Sequence, residues 1–155
     1  MYLPKHYKIV SGSGESKFPL AAFDKALRNA GIGDFNLVKV SSILPAQCMY
    51  SEEITLTPGS IIYAAYTSIT ITKGENGQTA VAVATSKNRD ENGVIFETST
   101  KENLEDCEML VENMCNEAME ERSRKVEKIE KSSQRIFATS EMFVSAISAA
   151  GKRSN

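Results

Sequence analysis

Two adjacent serines, Ser41 and Ser42, stand between an apolar segment and the run Ile43-Leu44-Pro45. The hydroxyl group of Ser42 can attack the carbonyl carbon of Ser41, which converts the peptide bond into an ester. The proline restricts the backbone of Leu44 before it, and a bond with restricted freedom is easier to strain. Elimination from the ester would release Ser41 as a carboxyl terminus and leave a dehydroalanine, which hydrolyses to a pyruvoyl group on residue 42. The pair therefore predicts a chain that cleaves itself.

A pyruvoyl ketone can form a Schiff base with an amino acid and accept electrons when the α-carboxylate leaves as carbon dioxide. Pyridoxal phosphate has this role in other enzymes. During cleavage, negative charge grows on the Ser41 carbonyl oxygen, and the side-chain amide of Asn36 could stabilise it. The site also needs an acid that protonates the substrate carbon and a group that holds the substrate side chain.

The surrounding pattern predicts the elements that position the serine pair. A strand is expected at 7–10, followed by a loop at Gly12 and Gly14. Pro19 begins a helix that runs to about Asn29, with Gly31 near its C-terminal cap. The strand that leads into the serines covers 35–40. Further strands are expected at 61–72, 79–85, 93–98, 126–137 and 142–147, with turns at 57–60 and 73–78, the second of them a hairpin turn.

A second helix is predicted from about Lys101 to Arg122, because Ser99 and Glu102 have the spacing of a capping box. The last residues, 151–155, are expected to form a frayed tail. Strands with two separated helices predict an α+β fold in layers. The apolar side of the second helix has six members: Leu104, Cys107, Val111, Met114, Cys115 and Ala118.

Bulk properties narrow the class of protein. The 155 residues suit one domain, and a net charge of −2 argues against a nucleic-acid binder. The sequence has no apolar run long enough to cross a membrane and no signal peptide, so a cytoplasmic location is expected. Three cysteines without a close pair argue against a disulfide framework or a zinc site. His6 is the one histidine, in a segment expected to be loose, and does not support a Ser-His-Asp triad.

Three segments resemble the pyruvoyl-dependent arginine decarboxylases: 19–24 (PLAAFD), 29–33 (NAGIG) and 36–45 (NLVKVSSILP). A weaker likeness continues through 93–97 (GVIFE). The resemblance implies an αββα sandwich that spans 1–155 and self-cleaves into a β chain, 1–41, and an α chain, 42–155. It also implies a homo-oligomer, a trimer or a dimer of trimers, with active sites between subunits. No metal and no pyridoxal phosphate are expected.

The resemblance further implies a role for each site residue. Ser42 would become the pyruvoyl group and Ser41 the end of the β chain, with Asn36 assisting the cleavage. Glu97 would be the proton donor for the substrate carbon. The substrate-binding set would be Asp24, which binds the arginine guanidinium, and the apolar residues Leu20 and Leu27, which share its helix face.

Each role has a simpler alternative. Asp24 could form an exposed helix pair with Arg28, four residues later. Glu97 could be a solvated residue at a strand end, and Asn36 could shape a turn. Leu20 and Leu27 could belong to the core. Two alternatives to arginine decarboxylation also stay open: a pyruvoyl decarboxylase for another amino acid, and an unprocessed, inactive relative that serves as a structural or binding subunit.

Overall fold

The computed structural model describes residues 1–53, 55–101 and 105–154. Within these residues the strands and helices follow in chain order: β1 (His6–Ser16), α1 (Pro19–Asn29), β2 (Asn36–Lys39), β3 (Ile43–Leu44), β4 (Met49–Tyr50), β5 (Ile61–Ile71), β6 (Asn76–Ser86), β7 (Gly93–Thr100), α2 (Cys107–Glu121), β8 (Val126–Phe137) and β9 (Phe143–Arg153).

The strands form two sheets that pack on each other. One sheet has the order β2-β5-β9-β1-β4, and the other has the order β3-β7-β6-β8. Helix α1 contacts β1 and β9 of the first sheet, whereas α2 contacts β6, β7 and β8 of the second. This single domain of two sheets and two helices agrees with the expected α+β sandwich. In the described part of the chain, neither helix is long and apolar enough to cross a membrane.

Strand β1 continues where the sequence predicted a loop. Gly12 and Gly14 lie inside the strand, which pairs with β9 along its whole length. A Cβ atom on Gly12 would lie 2.6 Å from the carbonyl oxygen of Ala26, and one on Gly14 would lie 2.6 Å from the Cβ of Lys25. The prediction of a loop was wrong because these glycines allow α1 to pack closely on the strand rather than turning the chain.

The polar segment after β5 is not a hairpin turn, as the sequence predicted. Strand β5 belongs to the first sheet and β6 to the second, so the two are not paired with each other. The turn, in which Glu75 N–H donates to the Thr72 carbonyl oxygen at 2.9 Å, carries the chain from one sheet to the other. Both faces of β6 are buried, because α2 covers one face and the first sheet covers the other.

Helix α2 begins later than predicted. Ser99 lies in β7, and the N-cap is Asp106, whose Oδ1 accepts from the Glu108 N–H at 3.0 Å. The predicted cap partner Glu102 and the first residue of the apolar side, Leu104, lie outside the described residues. Of the other predicted core positions of the helix, Cys107, Val111, Cys115 and Ala118 are confirmed as buried, whereas Met114 is only half-buried.

The two terminal segments are more ordered than the sequence predicted. Residues 151–153 of the expected tail form the end of β9, where Lys152 and Arg153 are buried, and Asn155 lies outside the described residues. His6 opens β1 and pairs with Arg153, so it is not in a loose segment. The predictions were wrong at these positions because β1 and β9 pair with each other over eleven residues each.

Candidate active site

The serine pair lies where the chain passes from one sheet to the other. Val40 is still bonded to the first sheet, since its N–H donates to the Ala64 carbonyl oxygen at 3.0 Å. Ser42 is already bonded to the second sheet, since its carbonyl oxygen accepts from the Ile95 N–H at 2.7 Å. Ser41 is the one residue between these two anchors, and it is exposed. The two sheets therefore fix the backbone on both sides of the Ser41–Ser42 bond.

Glu97 lies on strand β7, near Ser42. It follows Ile95 by two positions, roughly 7 Å along the strand, and so faces the same side. Ile95 packs with Val81 and Ala65 in the cluster between the sheets. The Glu97 side chain therefore points into the space between the sheets.

The environment of Glu97 favours the protonated carboxyl group. The residue is half-buried, and its buried Oε2 has no hydrogen-bond partner among the described residues. Burial raises the pKa of this carboxyl group above its usual value, and the positive charge of Lys39 partly opposes that rise. The sequence had ended the strand near Glu97, whereas β7 continues to Thr100. Glu97 is thus a mid-strand residue rather than a solvated strand end.

Glu97 also lies at an open edge of its sheet. Strand β3 pairs only with Gly93 and Val94, so beyond the Ser42–Ile95 bond the outer side of β7 has no paired strand among the described residues. A carboxyl group that can hold a proton is thus placed beside residue 42, at an edge that a small molecule can approach.

Within one chain, hydrogen bonds hold Asn36 against the turn that contains Gly59 and Ser60. Its Nδ2 donates to the Gly59 carbonyl oxygen at 2.8 Å, and its backbone N–H donates to the Ser60 carbonyl oxygen at 2.8 Å. The extended chain places it roughly 13 Å from Val40 along the strand. Within one chain, the Asn36 amide is therefore not next to the Ser41 carbonyl group.

The three predicted substrate-binding residues lie along one face of α1, and they differ in how far they are exposed. Leu20 is 79% exposed, although it is a large apolar residue. Leu27 is half-buried and packs against the core cluster beneath the helix. Asp24 forms the alternative contact that its spacing allowed, since its Oδ2 accepts from Arg28 Nε at 2.9 Å with both side chains more than half exposed. Such a pair contributes only about 0.3–0.5 kcal/mol.

Apart from Asn36, the predicted site residues thus fall into two groups on one chain. Helix α1 rests on β1 and β9, and strand β5 separates β9 from β2, which leads to the serine pair. Ser42 and Glu97 lie together at the sheet edge, and Leu20, Asp24 and Leu27 lie together on α1. No described contact joins the two groups.

One cavity of about 420 Å³ lies close to the serine pair in sequence but does not contain it. Leu44, Pro45 and Gly93 are among its described lining residues, and none of the predicted site residues is. Across residues 1–53, 55–101 and 105–154, no group of three or more His, Cys, Asp or Glu residues is placed to hold a metal ion.

Sequence reasoning missed two lysines at the site. Lys39 ends β2, influences Glu97 through its charge, and stacks its Nζ 5.0 Å from the ring centre of Tyr66. Lys152 is buried, and its Nζ donates to the Ile43 carbonyl oxygen at 3.0 Å. Strand β9 is buried on both faces, so no alternation of apolar and polar residues marked Lys152 as buried in the sequence.

Comparisons with known protein sequences cover most of the chain. The model of the family described as pyruvoyl-dependent arginine decarboxylase matches residues 6–152. A protein of that name from Methanocaldococcus jannaschii is 36% identical over 129 residues, which cover 83% of this chain and 78% of the relative. One from Methanococcus maripaludis strain C6 is 34% identical over 127 residues, with 81% and 77% covered. One from Methanopyrus kandleri is 53% identical over 64 residues, with 41% and 43% covered. With 147 of its 155 residues inside the family match (152 − 6 + 1 = 147), the chain belongs to the pyruvoyl-dependent arginine decarboxylase family.

Proposed function

We propose that this chain decarboxylates L-arginine to agmatine and carbon dioxide, using a pyruvoyl group that forms from Ser42. The observation that carries the proposal is the placement of the serine pair. The Ser42 carbonyl group accepts from Ile95, and Glu97, whose buried Oε2 has no hydrogen-bond partner in the described part of the chain, lies two residues further along β7. Membership of the family supports arginine as the substrate.

Self-cleavage would use the chain's own atoms. The Ser42 Oγ bonds to the Ser41 carbonyl carbon, the C–N bond breaks, and the hydroxyl proton passes to the Ser42 nitrogen. Loss of the Ser42 α-proton and departure of the Ser41 carboxylate then leave a dehydroalanine. Addition of water and release of ammonia give the pyruvoyl group. Anchors at Val40 and Ser42 support this route because they limit the movement of the bond that must react.

The pyruvoyl group supplies an electron sink for the loss of the substrate carboxylate. Glu97 delivers the proton that the substrate carbon then needs. Burial favours this role, because a carboxyl group with a raised pKa holds its proton closer to neutral pH than an exposed glutamate does. Donation leaves a half-buried carboxylate, and the charge of Lys39 makes that anion less unfavourable.

Asp24 binds the guanidinium group of the substrate. A carboxylate can accept two parallel hydrogen bonds from this planar cation. Its partner on this chain, Arg28, is itself a guanidinium on the exposed helix face, which supports pairing of this carboxylate with the guanidinium group of a substrate. Leu20 and Leu27 line the path of the substrate's methylene groups, and the 79% exposure of Leu20 leaves it available for this contact.

A second copy of the chain would complete the site. The residues that hold the substrate and those that react with it lie on separate faces of one chain, so a neighbour must bring an α1 helix to each serine pair. We propose a trimer, or a dimer of trimers, of αββα sandwiches, each cut into a β chain, 1–41, and an α chain, 42–155. In such an assembly the neighbour could also supply the Asn36 amide. The cytoplasmic location remains a prediction from the sequence.

The test is the product formed from the purified protein. Incubation with L-arginine should release agmatine and carbon dioxide in equal amounts, and prior reduction with borohydride should abolish the reaction. L-lysine and L-ornithine are the control substrates, because their shorter side chains end in a non-planar ammonium group instead of a guanidinium group. We expect them to react much more slowly. Failure to form agmatine from a fully cleaved preparation would refute arginine as the substrate. Equal turnover of lysine would refute recognition of the guanidinium group.

A further inference from the structure

The penultimate residue of the last strand, Lys152, reaches the residue that follows the serine pair. We propose that Lys152 is a positioning residue for self-cleavage, which holds the Ile43 carbonyl group and so fixes the backbone on the downstream side of the Ser41–Ser42 bond. The inference rests on the proposed function, since it concerns the formation of the same pyruvoyl group.

Lys152 lies inside the sandwich. In β9 it is paired on one side with Tyr7 of β1 and on the other with Tyr63 of β5. It faces the same side as Ala150, which belongs to the cluster between the sheets. The residue is only 6% exposed.

The surroundings of Lys152 do not neutralise its charge. No ion pair involves it in the described ranges of the chain. The titratable groups that face it are Tyr7, whose hydroxyl group donates to Glu130 Oε1 at 2.5 Å, Tyr63 and the buried thiol of Cys48. Burial lowers the pKa of the Lys152 ammonium group, and Cys48 partly opposes this. A buried lysine without a carboxylate is unfavourable for stability, which points to a role outside packing.

The side-chain hydrogen bond that Lys152 makes within the described residues joins the two sheets next to the serine pair. Its Nζ, from the first sheet, donates to the Ile43 carbonyl oxygen of the second sheet at 3.0 Å. The Ile95 N–H holds the carbonyl group of residue 42, and Lys152 holds that of residue 43. Strand β3 has only two residues, so its own pairing with β7 is a weak support. Lys152 therefore supplies the second anchor that keeps the Ser42 hydroxyl group beside the Ser41 carbonyl group.

The test compares rates of self-cleavage in freshly refolded chains by denaturing mass spectrometry. Lys152→Met keeps the length of the side chain but loses the donor, and Lys152→Gln keeps a shorter N–H donor. We expect the rate to fall in the order wild type, Gln variant, Met variant, with the Met variant slowed by about 10- to 100-fold, as misplacement of reacting groups does elsewhere.

Arg153→Met is the matched control. Arg153 is the next residue, is 9% exposed, and donates to Ser51 Oγ at 3.1 Å and to the Glu53 carbonyl oxygen, all away from the serine pair. We expect this variant to lose stability, measured by its thermal midpoint, yet to cleave at close to the wild-type rate. A role for Lys152 in stability alone would make rate follow thermal midpoint across all the variants.

The outcomes separate this inference from the proposed function. A wild-type chain that is never cut would refute both. A wild type that is cut, with Lys152→Met cut equally fast, would refute the positioning role alone. Misfolding of both Lys152 variants beside a folded Arg153→Met would also overturn it, because the lysine would then serve the fold.

Discussion

The N–H group of Ile95 donates to the carbonyl oxygen of Ser42 at 2.7 Å, which joins the reactive serine to the strand that carries Glu97. Since Ile95 and Glu97 are two positions apart, this bond sets the distance between the cleavage point and the acid. In the proposed mechanism, cleavage relies on the backbone N–H of Ile95 and turnover relies on the side chain of Glu97, so variants of Glu97 should separate the two activities.

Replacing the acid should stop turnover and spare processing. Glu97→Gln keeps the size of the side chain but loses the transferable proton, so we expect complete self-cleavage and a loss of kcat of about 10²- to 10⁴-fold. Glu91→Gln is a matched control, because Glu91 pairs with Arg124 at 2.9 Å and lies before β7. Mass spectrometry gives the extent of cleavage, and agmatine formation gives kcat. A fully active Glu97→Gln enzyme would remove Glu97 from the mechanism.

The pH dependence of turnover should follow the Glu97 carboxyl group. Burial raises its pKa, so the proton is kept to higher pH and activity should fall as pH rises through that raised value. Lys39 lowers the same pKa, so Lys39→Met should raise it and move the fall in kcat to higher pH.

The control for this shift is Lys73→Met, because Lys73 pairs with Glu141 at 2.9 Å on an exposed surface. Profiles of kcat against pH for the wild type and both variants provide the measurement. A fall in activity that stays in place in Lys39→Met, or that moves equally in Lys73→Met, would contradict the assignment.

Loss of the helix carboxylate should weaken substrate binding. Asp24→Asn removes the charge that would bind the guanidinium group, and we expect KM for arginine to rise by about 10- to 100-fold with self-cleavage unchanged. Arg28→Met is the decisive comparison, since it breaks the same ion pair from the other side. If Asp24 only pairs with Arg28, the two variants should have equal and small effects on KM.

The close contact between α1 and β1 should not tolerate a methyl group. Gly12→Ala would place a Cβ 2.6 Å from the Ala26 carbonyl oxygen, so we expect the free energy of unfolding to fall by about 1–3 kcal/mol. Gly151→Ala is the control, because its Cβ would meet only the side chain of Ile62 at 3.1 Å. Denaturant unfolding measures both, and equal stabilities would contradict the account of β1.

The sequence predicted the elements with strong local signals. Helix α1 was predicted from Pro19 to Asn29 because proline and glycine mark its ends, and Gly31 has the expected positive φ of 83°. Strand pairing was harder to predict from the sequence. The segment before β6 has the composition of a hairpin turn, and that composition is the same whether the next strand joins the same sheet or the other one. Local pattern does not reveal which sheet a strand joins.

The site was predicted in part. The serine pair and its strand follow from local sequence, whereas the missing hydrogen-bond partner of Glu97 depends on the packing of two sheets. Lys152 lies 110 positions after Ser42 (152 − 42 = 110), and only the register of β9 against β1 and β5 brings it to Ile43. Long-range pairing of this kind leaves no local signal.

The most direct measurement is a denaturing mass spectrum of the purified wild-type chain beside Ser42→Ala. Ser133→Ala is the control, because Ser133 also follows a serine, Ser132, and its Oγ donates to Glu108 Oε2 at 2.6 Å. For the wild type and Ser133→Ala, the account predicts two fragments, 1–41 and 42–155, the second with a pyruvoyl group at its amino terminus. Ser42→Ala should give one intact chain. A wild-type chain that stays whole, or a fragment that begins with an unmodified serine at position 42, would contradict the central claim.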